Sequence, residues 1–129
     1  MAETSYTNGQ IPHIEARLLD ELRTLLGPKF CNVVQIYLQD TSDRLEALAL
    51  IAHQPAAADR IVLEAHAIRA SSAQIGALRM ADAAKAMELA AERKPADPAG
   101  FVAFLDEMQD VYRETEKLLR PFCAVETAA

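Results

Sequence analysis

The feature that most constrains this chain is an unbroken helical period from about Pro28 to His53, in which Val34, Tyr37, Leu38, Thr41, Leu45, Leu48 and Ala52 recur at steps of three and four. A helix of that length, rising about 1.5 Å per residue, spans a small domain and needs partners of similar length along its apolar side. The rest of the chain supplies them. Breakers at Gly27-Pro28, Pro55, Gly76 and Pro95 to Gly100 divide the sequence into five segments with apolar residues at helical spacing. Neither an internal repeat nor a strand-like alternation of useful length is present.

The first segment, about residues 12 to 26, carries Ile14, Leu18, Leu22 and Leu25 on one stripe, with Pro12 near its first turn and Gly27 past its end. The third runs from about 56 to 75, the fourth from about 78 to 93 and the fifth from about 98 to 122. Phe101, Phe104, Leu105, Met108, Val111, Tyr112, Thr115, Leu118 and Phe122 form the apolar side of the fifth. A hydrophobic share of 51% with 5% aromatics and no Trp leaves the core to aliphatic residues that mostly favour helices. These patterns predict an all-α fold. Short connections make consecutive helices antiparallel, so the last four segments should form an up-down-up-down four-helix bundle with the additional N-terminal helix packed across one end.

A chain of 129 residues is one domain in size. The expected division is a flexible N-terminal arm at 1–10, the bundle at 11–123 and a flexible C-terminal tail at 124–129. A net charge of −6 argues against binding a phosphate backbone, so no nucleic-acid partner is expected. No apolar run approaches the roughly 20 residues of a membrane span, and the start "MAETSYTNGQ" lacks the basic and apolar regions of a secretion signal, which leaves a cytoplasmic protein with no membrane partner. Cys31 and Cys123 show no short metal-type spacing and are expected as buried free thiols.

The stretch "AHAIRASSAQIGA", residues 65 to 77, holds the candidate chemistry. At about 100° per residue, Ile61, Ala65, Ile68, Ser72 and Ile75 fall within about 40° of one line, the core seam of the third helix. His66 lies about 140° away from that line and should face outward. Around it Val62, Leu63, Ala67, Ala70 and Ala73 make a low apolar surface where charged residues are usual. That surface reads as a docking site centred on the imidazole, although an alanine-rich helix without special purpose, or a face covered by the N-terminal arm, would give the same composition. Arg69 stands one turn after His66 and offers a fixed positive charge to a phosphoryl group or a partner's carboxylate.

Counting outward from the Gly76-Ala77 turn brings Glu88 of the fourth helix level with His66, beside a seam of Met80, Ala84, Met87 and Ala91. Its carboxylate could accept a hydrogen bond from one imidazole nitrogen and leave the other as a nucleophile. Equally, Glu88 could be a solvated partner of Lys85. His13, at the start of the first helix, and His53, at the end of the second, assemble no rival site. The chain has no paired metal ligands of the H-E-x-x-H kind and no Gly-rich phosphate loop, so neither a metal enzyme nor an ATP-binding autokinase is expected.

Taken together, "AHAIRASSAQIGALRMADAAKAMELA" resembles the signature of histidine-containing phosphotransfer (HPt) domains, roughly A-H-x-L-K-G-S-S-x-x-I/V/L-G-A followed by a helix ending in L-E. His66 aligns with the phosphorylated histidine, Ser71 and Ser72 with the serine pair, Ile75 to Ala77 with the closing turn and Met87-Glu88 with L-E. "YLQDTSDRLEALALIA" is similar to the family's F-L-x-D-T-x-x-x-L-x-x-L, and the likeness covers about residues 14 to 122. Ile68, Arg69 and Ala70 depart from the usual Leu, Lys and Gly. The Ala70 methyl stands where the family glycine leaves room, which implies narrower partner choice or slower transfer.

The resemblance implies a two-component phosphorelay component that is a monomeric phosphoryl carrier, not an enzyme. His66 would accept the phosphoryl group from the phospho-aspartate of a response-regulator receiver domain or a hybrid histidine kinase and pass it to another receiver. Arg69, Glu88 and Ala70 would flank the phosphoryl site, while Val62, Leu63, Ala67 and Ala73 would meet the partner. The chain itself would hold no cofactor, since Mg²⁺ comes with the receiver. The competing expectation is an adaptor that binds and regulates a receiver or kinase without accepting phosphate.

Overall fold

In the computed structural model residues 11–93 and 98–123 are described, and the expected arm at 1–10, tail at 124–129 and break around Pro95 lie outside them. Among the described residues every regular element is helical: α1 (Ala16–Leu26), α2 (Phe30–Ile51), α3 (Ala58–Ile75), α4 (Leu78–Glu92) and α5 (Pro98–Leu119), with 3-10 turns at Gly27–Lys29 and Pro55–Ala57.

The long period of α2 buries every residue expected on its inner face, together with Phe30 at its start. α3 packs most extensively against α4; α4 also meets α5, and α2 touches both α3 and α5. Buried positions on α3 and α4 include Ala58, Ala65, Ser72, Ala83, Ala84 and Ala91, interrupted by Ile61, Ile68, Met80 and Met87. Side chains this short let two helix backbones approach closely. Two polar bonds tie α2 to its neighbours: Tyr37 Oη lies 2.6 Å from Ser72 Oγ of α3, and Arg44 donates to Glu64 Oε1 at 2.9 Å. On its other flank Tyr112 Oη of α5 donates to the Leu38 carbonyl at 2.8 Å.

Gly76 ends α3 in the left-handed region at φ 82°, and the Ala77 amide donates back to the Ser72 carbonyl at 2.8 Å. Glycine suits this position because a Cβ there would be strained by φ and would stand 3.2 Å from Leu18 Cδ2. The same turn receives the N-terminal segment, whose Glu15 amide donates to the Gly76 carbonyl at 2.8 Å. That bond holds Glu15 extended, so α1 starts at Ala16, and Pro12, His13 and Ile14 precede the helix instead of forming its first turn. The inward stripe turns accordingly: Leu19 is fully buried and Leu22 and Leu26 pack against the core, while Leu25, expected inside, is 79% exposed. In α5 Leu119 is fully buried, and its neighbour Leu118 only half so.

The cysteines also differ from expectation. Cys31 and Cys123 are not free thiols; they form a disulfide across 92 positions of sequence with Cα atoms 5.5 Å apart, and both are half-buried. The cause is topological: the start of α2 and the end of α5 lie at the same end of the molecule, which residue spacing does not reveal.

Candidate functional site

On α3, Ile61, Ala65, Ile68, Ser72 and Ile75 all point into the core, which carries His66 to the outer side with its side chain 57% exposed. Leu63 is 69% exposed and Ala70 and Ala73 are exposed, whereas Val62 and Ala67, expected to project outward with them, are half-buried, Val62 packing against the core. Leu89 of α4 adds a further exposed apolar group that the α3 pattern did not indicate.

Glu88 reaches this surface from α4 with a side chain only 10% exposed. Its Oε2 lies 2.9 Å from His66 Nδ1, while Arg69 Nε donates to Oε1 at 2.7 Å. The alternative pairing with Lys85 is not seen. Burial would raise the Glu88 carboxyl, but the hydrogen bonds from His66 and Arg69 and the Arg69 charge outweigh it, and the group is held below the ordinary carboxylate range. Glu88 is therefore a carboxylate at neutral pH, able only to accept hydrogen bonds.

Arg69 lies beside His66 as its spacing requires, but its bond to Glu88 is one that the sequence did not anticipate. Besides gripping Glu88, its Nη2 lies 3.0 Å from His66 Nδ1. Guanidinium can only donate and carboxylate can only accept, so one nitrogen cannot satisfy both at once. A hydrogen on Nδ1 completes the contact with the buried anion, and Arg69 keeps its bond to Oε1 together with a longer approach of Nη2 to Oε2 at 3.4 Å. In a neutral ring with that hydrogen on Nδ1, the lone pair is on Nε2. Arg69 thus neutralises Glu88 in this arrangement, in addition to presenting charge outward.

The other histidines take no part. His53 is exposed beyond α2, and His13 precedes α1 with its Nδ1 buried and unpaired. Burial, followed by the nearby Arg79 charge, lowers the His13 pKa, with Glu114 opposing. Among the described residues no cluster of three or more His, Cys, Asp or Glu side chains could hold a metal ion. No helix there is long and apolar enough to cross a membrane. A groove of about 460 Å³ between α1, α2 and α3 is lined in part by Leu22, Leu26, Val33 and Ile36, of which the sequence reading singled out only Leu22.

Comparison with known proteins bears on the fold and the family. No curated protein matches the chain in sequence. A solved rice structure assigned to the histidine-containing phosphotransfer proteins superposes with a TM-score of 0.79 at 18% identity, over 90% of this chain and 85% of that one, which establishes a shared fold. The model of the Hpt domain matches residues 32–120, from α2 through α5 and including His66, Arg69 and Glu88. By that match over most of its length the chain belongs to the Hpt family, the phosphocarrier modules of phosphorelays.

Proposed function

We propose that this chain carries a phosphoryl group on His66 Nε2 between response-regulator receiver domains, or from a hybrid histidine kinase to a receiver. The observation that carries the reading is the 2.9 Å contact of His66 Nδ1 with a buried carboxylate on an otherwise exposed imidazole. With its hydrogen on Nδ1, the ring presents the Nε2 lone pair as nucleophile. Attack on the phosphorus of a receiver's phospho-aspartate forms the P–N bond as the P–O bond to the aspartate breaks and its carboxylate leaves. The ring gains positive charge in that step, and Glu88 stands where the charge develops. Reversal with a second receiver's aspartate discharges the carrier.

Mg²⁺ belongs to the receiver in this scheme, and the carrier contributes a rigidly placed nucleophile without binding ATP. Val62, Leu63, Ala67 and Ala73 form the surface that meets the receiver, and Ala70 sets the clearance beside the phosphoryl group. The contacts among α2, α3, α4 and α5 and the short connections support an up-down-up-down bundle, with α1 laid across the end that holds Gly76. The folded unit spans residues 11–123 and acts as a cytoplasmic monomer.

Incubation with a phosphorylated receiver tests the proposal. Acid-labile label should appear on the wild-type chain and be absent from His66→Gln. An unlabelled wild-type chain that still binds the receiver would instead establish a regulatory adaptor.

A further inference from the structure

The Cys31–Cys123 disulfide sits where the molecule's most peripheral helix is fastened. Cys31 lies in the first turn of α2, and the Cys123 amide closes a last turn on the Arg120 carbonyl at 3.0 Å, just past α5. Within that turn, next to Cys123, stands Phe122, whose ring receives the Arg23 guanidinium of α1 at 5.7 Å from its centroid. Leu22 and Leu26 of α1, Phe122 and both cysteines are partly buried and each packs against the core. The bridge therefore holds, one residue away, the ring that the Arg23 guanidinium of α1 approaches, and on its other side it holds the start of α2 just past the turn in which α1 ends.

The bundle does not depend on this bridge to close. Phe30, Met108, Val111 and Leu119 are buried, and Tyr112 of α5 is bonded to the Leu38 carbonyl of α2. Opening the disulfide would leave those contacts in place and release mainly Phe122 and the end of α1. Both cysteines are half-buried rather than enclosed in the core, and thiol–disulfide exchange depends on such access.

We propose that Cys31 and Cys123 form a reversible redox clamp that orders the C-terminal half of α1 when closed and loosens it when open. Closure proceeds by thiol–disulfide exchange with a disulfide such as oxidised glutathione. One cysteine thiolate attacks a glutathione sulfur, expelling a glutathione thiolate and leaving a mixed disulfide. The second cysteine thiolate then attacks the protein-bound sulfur and expels the other glutathione. Two protein thiols are oxidised, one glutathione disulfide is reduced to two thiols, and reduced glutathione reverses the sequence.

The full chain, equilibrated in excess reduced or excess oxidised glutathione, gives the test by thiol titration and amide hydrogen exchange. We expect two reactive thiols in the reduced buffer and none in the oxidised one. Amides of residues 16–26 should exchange roughly tenfold faster after reduction, by local opening whose rate is insensitive to low denaturant, whereas α3 amides that exchange only through global unfolding follow the urea midpoint instead. Cys31→Ser and Cys123→Ser should show the faster exchange in both buffers. Two thiols persisting in oxidised glutathione, none appearing in reduced glutathione, or equal exchange over residues 16–26 in the two wild-type samples would overturn the proposal.

Discussion

An imidazole nitrogen carries either a hydrogen or a lone pair, and at His66 Nδ1 the two neighbours ask for opposite answers. Glu88 decides the outcome only while it is ionised. Its folded pKa is depressed, so its stabilising contribution is present above the ordinary carboxylate value of about 4.3 and is lost as pH falls through the lower folded value. Glu88→Gln should destabilise the fold by about 1 to 3 kcal/mol at neutral pH, because Arg69 loses its charged partner. The deficit relative to wild type should shrink in acid, as denaturant midpoints at pH 7 and pH 3 would show. Transfer should slow by about tenfold as the charge beside the reacting ring is removed. Ala70→Gly separates local crowding from helix stability: a glycine in this exposed helical position costs about 1 kcal/mol, yet the transfer rate should rise as the methyl leaves. Stopped-flow transfer and thermal melts on one sample distinguish the two effects. At this scale the sequence was informative about His66 and Glu88, because one periodicity and one turn set their heights. The grip of Arg69 on Glu88 was not legible, since a flexible side chain can reach outward or sideways from the same helical position.

Among the elements, α2 and α3 are joined by a buried polar contact with a titration of its own. Burial, resisted by the hydrogen bond with Ser72, pushes the Tyr37 phenol up to about 12. A raised folded pKa means the contribution is fully present below about pH 10, where the unfolded phenol titrates, and is lost as pH rises toward 12. Wild type should therefore lose about 2 to 3 kcal/mol of stability over that interval, a slope that Tyr37→Phe removes. At neutral pH the variant should be less stable by about 1 to 3 kcal/mol, because Ser72 keeps a buried hydroxyl without its partner. Chemical denaturation across the alkaline range reads both effects. Helix positions were largely legible from apolar period and from breakers such as Gly76. The errors fell on α1 and on the end of α5, where Leu18-Leu19 and Leu118-Leu119 present adjacent leucines about 100° apart. A stripe can be drawn through either member of such a pair, and only the true helix start or a tertiary contact chooses between them. For α1 that contact is the Glu15 bond to Gly76, made by residues far apart in sequence.

For the whole molecule, the 92-residue separation of Cys31 and Cys123 means their bond constrains the unfolded chain strongly. Chain entropy at that loop length corresponds to about 4 to 5 kcal/mol. Urea midpoints measured with and without reductant should differ by an amount of that order, while α-helical circular dichroism before the transition stays nearly the same. Nothing in the spacing of two cysteines foretold the pairing, since it arises only when α2 and α5 lie side by side. Their pairing therefore became legible only with the assembled fold. The alanines buried on α3 and α4 carry a different consequence. An alanine has no χ angle to turn, so a misfit between these helices can be relieved only by shifting one of them bodily. The separation of His66 from Glu88 is thus a gauge of how well two backbones nest, and an added methyl deep in that seam would retune a surface nitrogen it never touches.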